Sequence, residues 1–400
     1  LCSDSEDQQC EDPGLILDRQ VRLERLGKDS FIKSIHSRRQ LCYTSPGNLA
    51  KHTDKVFLQE NVAKSQNSDE YEVLAVFPVS DETSPSHVAS LAKDLLAMGR
   101  LEFRSRSYQA ALSYFWESLL LSCLLISQRL DDVDTARKVS DLLVVDSTLL
   151  ESEGALFQVS EKHVGLIGSI GILSSIMDFA SVEFVQVLFL IGVSYTRTHK
   201  FDIAHSALHK ALTLLKERSP AEITYEANET LDEVIVQLDI AHLLLRIGFV
   251  DSERGHIEVA ASRYMKAIQV FSATSKRPYF TSGIVESADS DQKITGVSQI
   301  SPLVPEMQCK EIGLLIKNGL ACAYHRLGVT YAERGRNDDA MNCFEDSARM
   351  FKEIKAVTDK FLNWKSVNLF PFASRCFWEE PSAIETALLL SDINERSGSI

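Results

Sequence analysis

Apolar residues in the C-terminal half of the chain return at helical spacing in two runs separated by a short polar turn. The pattern is sharpest from Ala321 to Ile354. Tyr324 and Leu327 precede Gly328, and Tyr331, Gly335, Ala340, Phe344 and Ser347 follow it at three, seven, twelve, sixteen and nineteen residues. Spacings of three and four place these positions on one face of a helix, so two amphipathic helices are predicted with a turn at Gly335 between them. Gly328 lets the two helices approach because it has no side chain, and Ala340 and Ser347 leave room for bulky partner residues.

The same offsets recur three times. Around Gly192 stand Leu188, Ile191, Tyr195, Ala204, Leu208 and Ala211. Around Gly248 stand Leu244, Ile247, Gly255, Ala260, Tyr264 and Ala267, with Asp251 where the tyrosine is expected. Around Gly99 stand Leu95, Met98, Ala111, Phe115 and Ser118, with Glu102 in the tyrosine place and Arg106 at the turn. On these residues the chain resembles the tetratricopeptide repeat family, whose repeat is 34 residues long. The resemblance covers about a third of the chain, as four repeats at roughly 92–125, 185–218, 241–274 and 321–354. It implies an all-α fold, a right-handed superhelical solenoid of antiparallel helix pairs. The repeat-packing residues would be Gly99, Ala111, Phe115, Gly192, Tyr195, Ala204, Gly248, Ala260, Tyr264, Gly328, Tyr331, Ala340 and Phe344.

Between the repeats the pattern weakens. Residues 1–85 are rich in Ser, Asp, Glu, Gln and Asn and are expected to be mostly disordered, with EYEVLAVFPV as an apolar island. The solenoid is expected over 86–360. The 93 residues from Gly99 to Gly192 leave room for one or two degenerate hairpins, within Asp131–Leu150 and Gly154–Ala180. Gly165, Gly168 and Gly171 in the latter lack the lysine and spacing of a phosphate loop, and read as a helix contact or a loop. Residues 276–305, rich in Ser, Asp, Gly and Pro, read as a flexible insertion, and 361–400 as a capping helix and tail.

Composition narrows the function. The chain has 400 residues and a net charge of −14, which argues against a nucleic-acid partner. Its one basic cluster is Arg100, Arg104 and Arg106. Eight cysteines show no C-x-x-C or regular framework, and read as reduced thiols of a cytoplasmic or nuclear protein. The charge-free run Val164–Met177 is too short for a membrane span.

Chemistry is sparse. His205 and His209 share a helical face but lack a third ligand, so no metal is expected. Cys322 and Cys343 read as small core residues, since no activating His-Asp arrangement accompanies them. Asp338 and Asp339 suit a helix N-terminus, and Glu379-Glu380 has no partner in sequence. No cofactor motif and no catalytic motif is present, and no enzyme is expected.

The resemblance implies that first helices line a concave groove through the residues three before and one after each glycine. Here these are Leu96 and Arg100, Phe189 and Val193, Leu245 and Phe249, and His325 and Val329, a mainly apolar lining for an apolar or amphipathic peptide. The asparagines of the co-chaperone carboxylate clamp are missing, with Arg100, Val193 and Phe249 in their places. The long second helices look more like the kinesin light chain type, which binds cargo and adaptors. The expectation is a scaffold or adaptor; the alternative is the regulatory region of a larger enzyme.

Overall fold

A computed structural model describes residues 28–40, 42, 73–74, 85–129, 135, 138–139, 142–143, 145–146, 155–169, 182–218, 231–276, 306–358 and 386. The helices among them are α1 (28–40), α2 (Pro85–Arg104), α3 (Tyr108–Arg129), α4 (Glu161–Ser169), α5 (Val182–Arg197), α6 (Phe201–Arg218), α7 (Leu231–Glu253), α8 (Ile257–Ser275), α9 (Glu306–Glu333) and α10 (Asn337–Thr358). The only strands among the described residues are β1 (Val73–Leu74) and β2 (Val145–Asp146), paired antiparallel. The chain forms two compact units, Leu1–Val187 and Leu188–Ile400, the division falling within α5.

Four helix pairs repeat one packing scheme. A side chain at the central glycine of α2, α5, α7 or α9 would stand 2.4, 2.5, 2.7 or 2.8 Å from Phe115, Leu208, Tyr264 or Phe344, the residue sixteen further on in the second helix. All four partner residues are buried. Truncating such a ring to Ala costs about 3–5 kcal/mol. Ser118 Oγ donates to Ala92 O and Ser347 Oγ to Ala321 O, each at 2.8 Å, so the first and last pairs share this contact as well. The tyrosine place differs between pairs, Glu102, Tyr195, Asp251 and Tyr331 in turn, but the register does not.

The turns are equally uniform. The residue seven after each glycine has positive φ, Arg106 at 61°, His199 at 57°, Gly255 at 80° and Gly335 at 71°. The following amides, of Ser107, Lys200, His256 and Arg336, donate to Glu102, Tyr195, Asp251 and Tyr331 carbonyls at 2.8–2.9 Å. This six-to-one bond closes the first helix in a Schellman turn. Two turns therefore hold a non-glycine residue in a conformation that costs about 1–2 kcal/mol, because the bonds around it are the same as in the glycine turns.

In unit 1 the expected disorder of 1–85 does not extend to α1. This helix runs antiparallel to α2: Lys28 pairs with Glu102 at 2.6 Å, and Ser34 and Arg38 reach Asp94 at 2.6 and 3.3 Å. Its Arg39 is buried and forms a two-pronged ion pair with buried Glu117 of α3, Nε to Oε1 at 2.9 Å, while Nη1 donates to Ala155 O at 2.8 Å. Glu117 interrupts an otherwise apolar helix. By length and composition alone Tyr108–Ser127 is long enough to cross a membrane, and 78% of that window is buried inside the protein.

Gly165 lies within the helix α4, and a Cβ there would meet no described atom within 4 Å. Ser160 precedes α4, and its amide donates to His163 Nδ1 at 2.8 Å, so an imidazole caps this helix start. The other His163 nitrogen donates to Leu142 O at 2.9 Å, and burial lowers the His163 pKa.

In unit 2, α6 packs on α7 and α8 on α9, so consecutive pairs stack. The last first-helix begins at Glu306, well before the expected 321, and its Gly319 admits Phe271 of α8, where a Cβ would stand 2.4 Å away. Residues 277–305, Gly171, Glu379, Glu380 and the cap expected in 361–400 lie outside the described residues, Thr386 excepted.

Candidate functional site

The expected groove residues divide by position. Those three before the glycine, Leu96, Phe189, Leu245 and His325, are all buried, as is Val193. These five are corrected from partner-facing to internal. His325 shows the reason: its ring lies edge-on to Phe344 at 5.6 Å, and its Nδ1 is 2.8 Å from the hydroxyl of buried Thr386. The residues one after the glycine are different. Arg100, Phe249 and Val329 are half-buried. In unit 1, Arg100 donates to Gln186 Oε1 and is held there. In unit 2, the Arg326 guanidinium lies 4.7 Å from the centre of the Phe249 ring, a cation–π contact that bridges α7 and α9. Phe249, Arg326 and Val329 thus make a short half-exposed row on the first helices of unit 2.

The carboxylates that stand in two of the tyrosine places, Glu102 and Asp251, are both buried. Glu102 takes Lys28 from α1. Asp251 of α7, 1% exposed, takes His205 Nε2 of α6 at 3.2 Å, Arg263 Nε of α8 at 3.8 Å and Arg254 Nη1 at 3.9 Å. Burial requires such compensation, because a lone buried carboxylate is strongly disfavoured. Burial lowers the His205 pKa more than Asp251 raises it. His209 lies 5.8 Å from His205 between ring centroids, and burial lowers its pKa too. Two guanidiniums face the carboxylate that a metal would need. Among the described residues no group of three or more His, Cys, Asp or Glu is placed to hold a metal ion.

The cysteines are free and buried at 42, 123, 322 and 343. Burial pushes the thiols of Cys42 and Cys343 up to about 11 and that of Cys123 up to about 12. They are therefore protonated at neutral pH and poor nucleophiles. Asp338 and Asp339 lie in the first turn of α10, where Asp339 accepts from Arg336 Nε at 2.7 Å, a helix-end role.

One cleft in unit 2 collects polar groups. The α5–α6 turn (His199, Lys200) and the α7–α8 turn (Arg254, His256) line an open cleft of about 580 Å³ with Phe201, Asp202 and Ile203 of the first turn of α6. Arg254 holds Asp202 Oδ1 through Nη2 at 2.9 Å and Nε at 3.0 Å.

Residues 320–354 match the family model of the tetratricopeptide repeat. That match falls within the last helix pair, and the other three pairs repeat its packing register. Among solved structures, the crystal structure of BtubC (BKLC) from P. vanneervenii is similar at 12% identity with a TM-score of 0.31, covering 72% of this chain and 86% of that one. A likeness of that size carries no argument about function. A search of curated proteins finds no match.

Proposed function

We propose that this chain of divergent tetratricopeptide repeats is a non-catalytic interaction scaffold or adaptor that captures a peptide segment of a partner on the first helices of unit 2. The reading rests on the half-exposed row Phe249, Arg326 and Val329. A ring, a guanidinium and a branched aliphatic side chain together suit an amphipathic segment, and aromatic and arginine residues carry much of the energy at protein interfaces. The protonated thiols fit a protein without nucleophilic chemistry in a reducing compartment, cytoplasm or nucleus.

The test is a pull-down with the full chain read by mass spectrometry, comparing the natural sequence with F249E/V329E. Proteins captured by the first and lost from the second, with helical circular dichroism unchanged, support the reading. Retention of every captured protein by a folded double variant contradicts it. Phe189, fully buried, is unsuitable for this purpose, since Phe189→Glu would place a carboxylate in the core.

A further inference from the structure

The carboxylate in the tyrosine place of α7 is also the meeting point of two consecutive helix pairs. Asp251 is 1% exposed, and the cations around it come from three helices: His205 Nε2 of α6 at 3.2 Å, Arg263 Nε of α8 at 3.8 Å and Arg254 Nη1 of α7 itself at 3.9 Å. These are loose pairs, and Asp251 Oδ2 has no hydrogen bond among the described residues. Arg254 is shared, since its Nη2 and Nε also hold Asp202 of α6 at 2.9 and 3.0 Å. With His205 neutral, the two guanidiniums balance the two carboxylates. The remaining ionisable neighbours are cations or become so: the His209 ring stands 5.8 Å from that of His205 on the same face of α6, and Lys210 and Lys216 of α6 lie close enough to His209 to lower its pKa. A proton taken up by His205 therefore finds no carboxylate left to balance it. The His205–Asp251 and Arg254–Asp202 pairs join α6 to α7, and with it the α5–α6 pair to the α7–α8 pair.

We propose that this junction is an acid-sensitive catch: protonation of His205 leaves unbalanced positive charge around buried Asp251 and loosens α6 from α7. The direction follows from linkage. Burial holds the pKa of the seated His205 below its ordinary value, against the pull of Asp251 and with the help of Arg254, His209 and Arg263. A ring freed with α6 titrates near 6.5. Between that value and the lower one of the seated ring, the freed form binds more protons, so the catch weakens as pH falls and is fully held above about pH 7. His209 is exposed and adds in the same sense, by less. The inference concerns how α6 is held and does not depend on what the inner row binds.

The experiment is hydrogen exchange of the full chain, read by mass spectrometry at pH 7 and pH 5, with each rate divided by that of an unstructured peptide at the same pH. The α10 amides serve as the reference, so that a general loss of stability in acid is subtracted. The α6 amides are expected to open about fivefold more readily at pH 5 than at pH 7 beyond any change in α10, within the roughly tenfold per pH unit that one proton allows. His205→Gln keeps a donor beside Asp251 but does not titrate, and should abolish the excess; His209→Gln should reduce it slightly. Circular dichroism checks that the variants fold, and the comparison of α6 with α10 in the natural chain stands without them. In the imidazole NMR spectrum the His205 signal, identified by its loss in His205→Gln, should titrate below 6.5. An equal acid response of α6 and α10, an undiminished excess in folded His205→Gln, or a His205 ring that titrates at or above 6.5 each overturns the proposal.

Discussion

The first helix pair, α2–α3, and the last, α9–α10, are built to the same register but finished in different ways. Phe115 and Phe344 fill the same notch, and Ser118 and Ser347 make the same bond. Eighteen residues after each glycine the second helix carries an acid, Glu117 in one pair and Asp346 in the other. Glu117 is fully buried and clasped by Arg39 of α1, whereas Asp346 sits at the surface beside Arg349. In the tyrosine place the first pair has Glu102 bound to Lys28, and the last has Tyr331 beneath Arg336, 4.5 Å from the ring centre. The repeat signature thus encodes how two helices meet. What covers the pair is encoded elsewhere, and in unit 1 it is a helix from the polar N-terminal stretch.

The largest effect should separate these two acids. Glu117→Ala leaves the Arg39 charge buried without its partner and should cost about 3–5 kcal/mol, whereas Asp346→Ala removes a surface pair and should cost less than about 1 kcal/mol. Urea unfolding followed by circular dichroism measures both, and similar costs would break the contrast.

Next in size is the response to acid. His242 of α7 lies buried edge-on to Phe271, 4.9 Å between centroids, and burial pushes its pKa down to about 3. The unfolded chain takes up that proton near pH 6.5, so between about 6.5 and 3 it binds more protons than the folded chain, and stability falls as pH falls. The slope is about 1.4 kcal/mol per pH unit, hence roughly 2 kcal/mol between pH 6.5 and 5. His163 adds to the loss in the same sense in unit 1. His242→Phe should flatten the profile of unit 2, and an unchanged profile would contradict the assignment.

The smallest effects belong to the turns. Arg106→Gly and His199→Gly relieve a left-handed residue and should each stabilise by up to about 1 kcal/mol, while Gly335→Ala should destabilise by about 1 kcal/mol. Thermal melts of the three variants check the sign, and like signs would show that the turns are not equivalent.

Much of the pairing was legible in the sequence because it depends on local spacing. The glycine, the bulky residue sixteen later and the turn between them lie within one repeat, and even Arg106 takes the turn conformation that its place predicts. The cover of unit 1 was not legible. Lys28, Ser34, Arg38 and Arg39 look like a solvated stretch until Asp94, Glu102 and Glu117 are brought to them, Ser34 from 60 residues away and Arg39 from 78. The buried half of the expected groove was hidden for the same reason. His325 reads as a lining residue, yet its hydroxyl partner Thr386 is 61 residues on. Asp251 looked like a lapse from the repeat, and its compensation is spread over α6, α7 and α8.

The proposal that unit 2 offers its first-helix row to a partner, while the equivalent residue in unit 1, Arg100, is held by Gln186, is tested most directly by site-specific photocross-linking. A benzophenone amino acid is placed in turn at Arg100, Phe249 and Val329, the residue after the glycine in three pairs, and cross-linked partner peptides are identified by mass spectrometry. Adducts from 249 and 329 with none from 100 are predicted. Adducts from 100 with none from 249 or 329 would contradict the account.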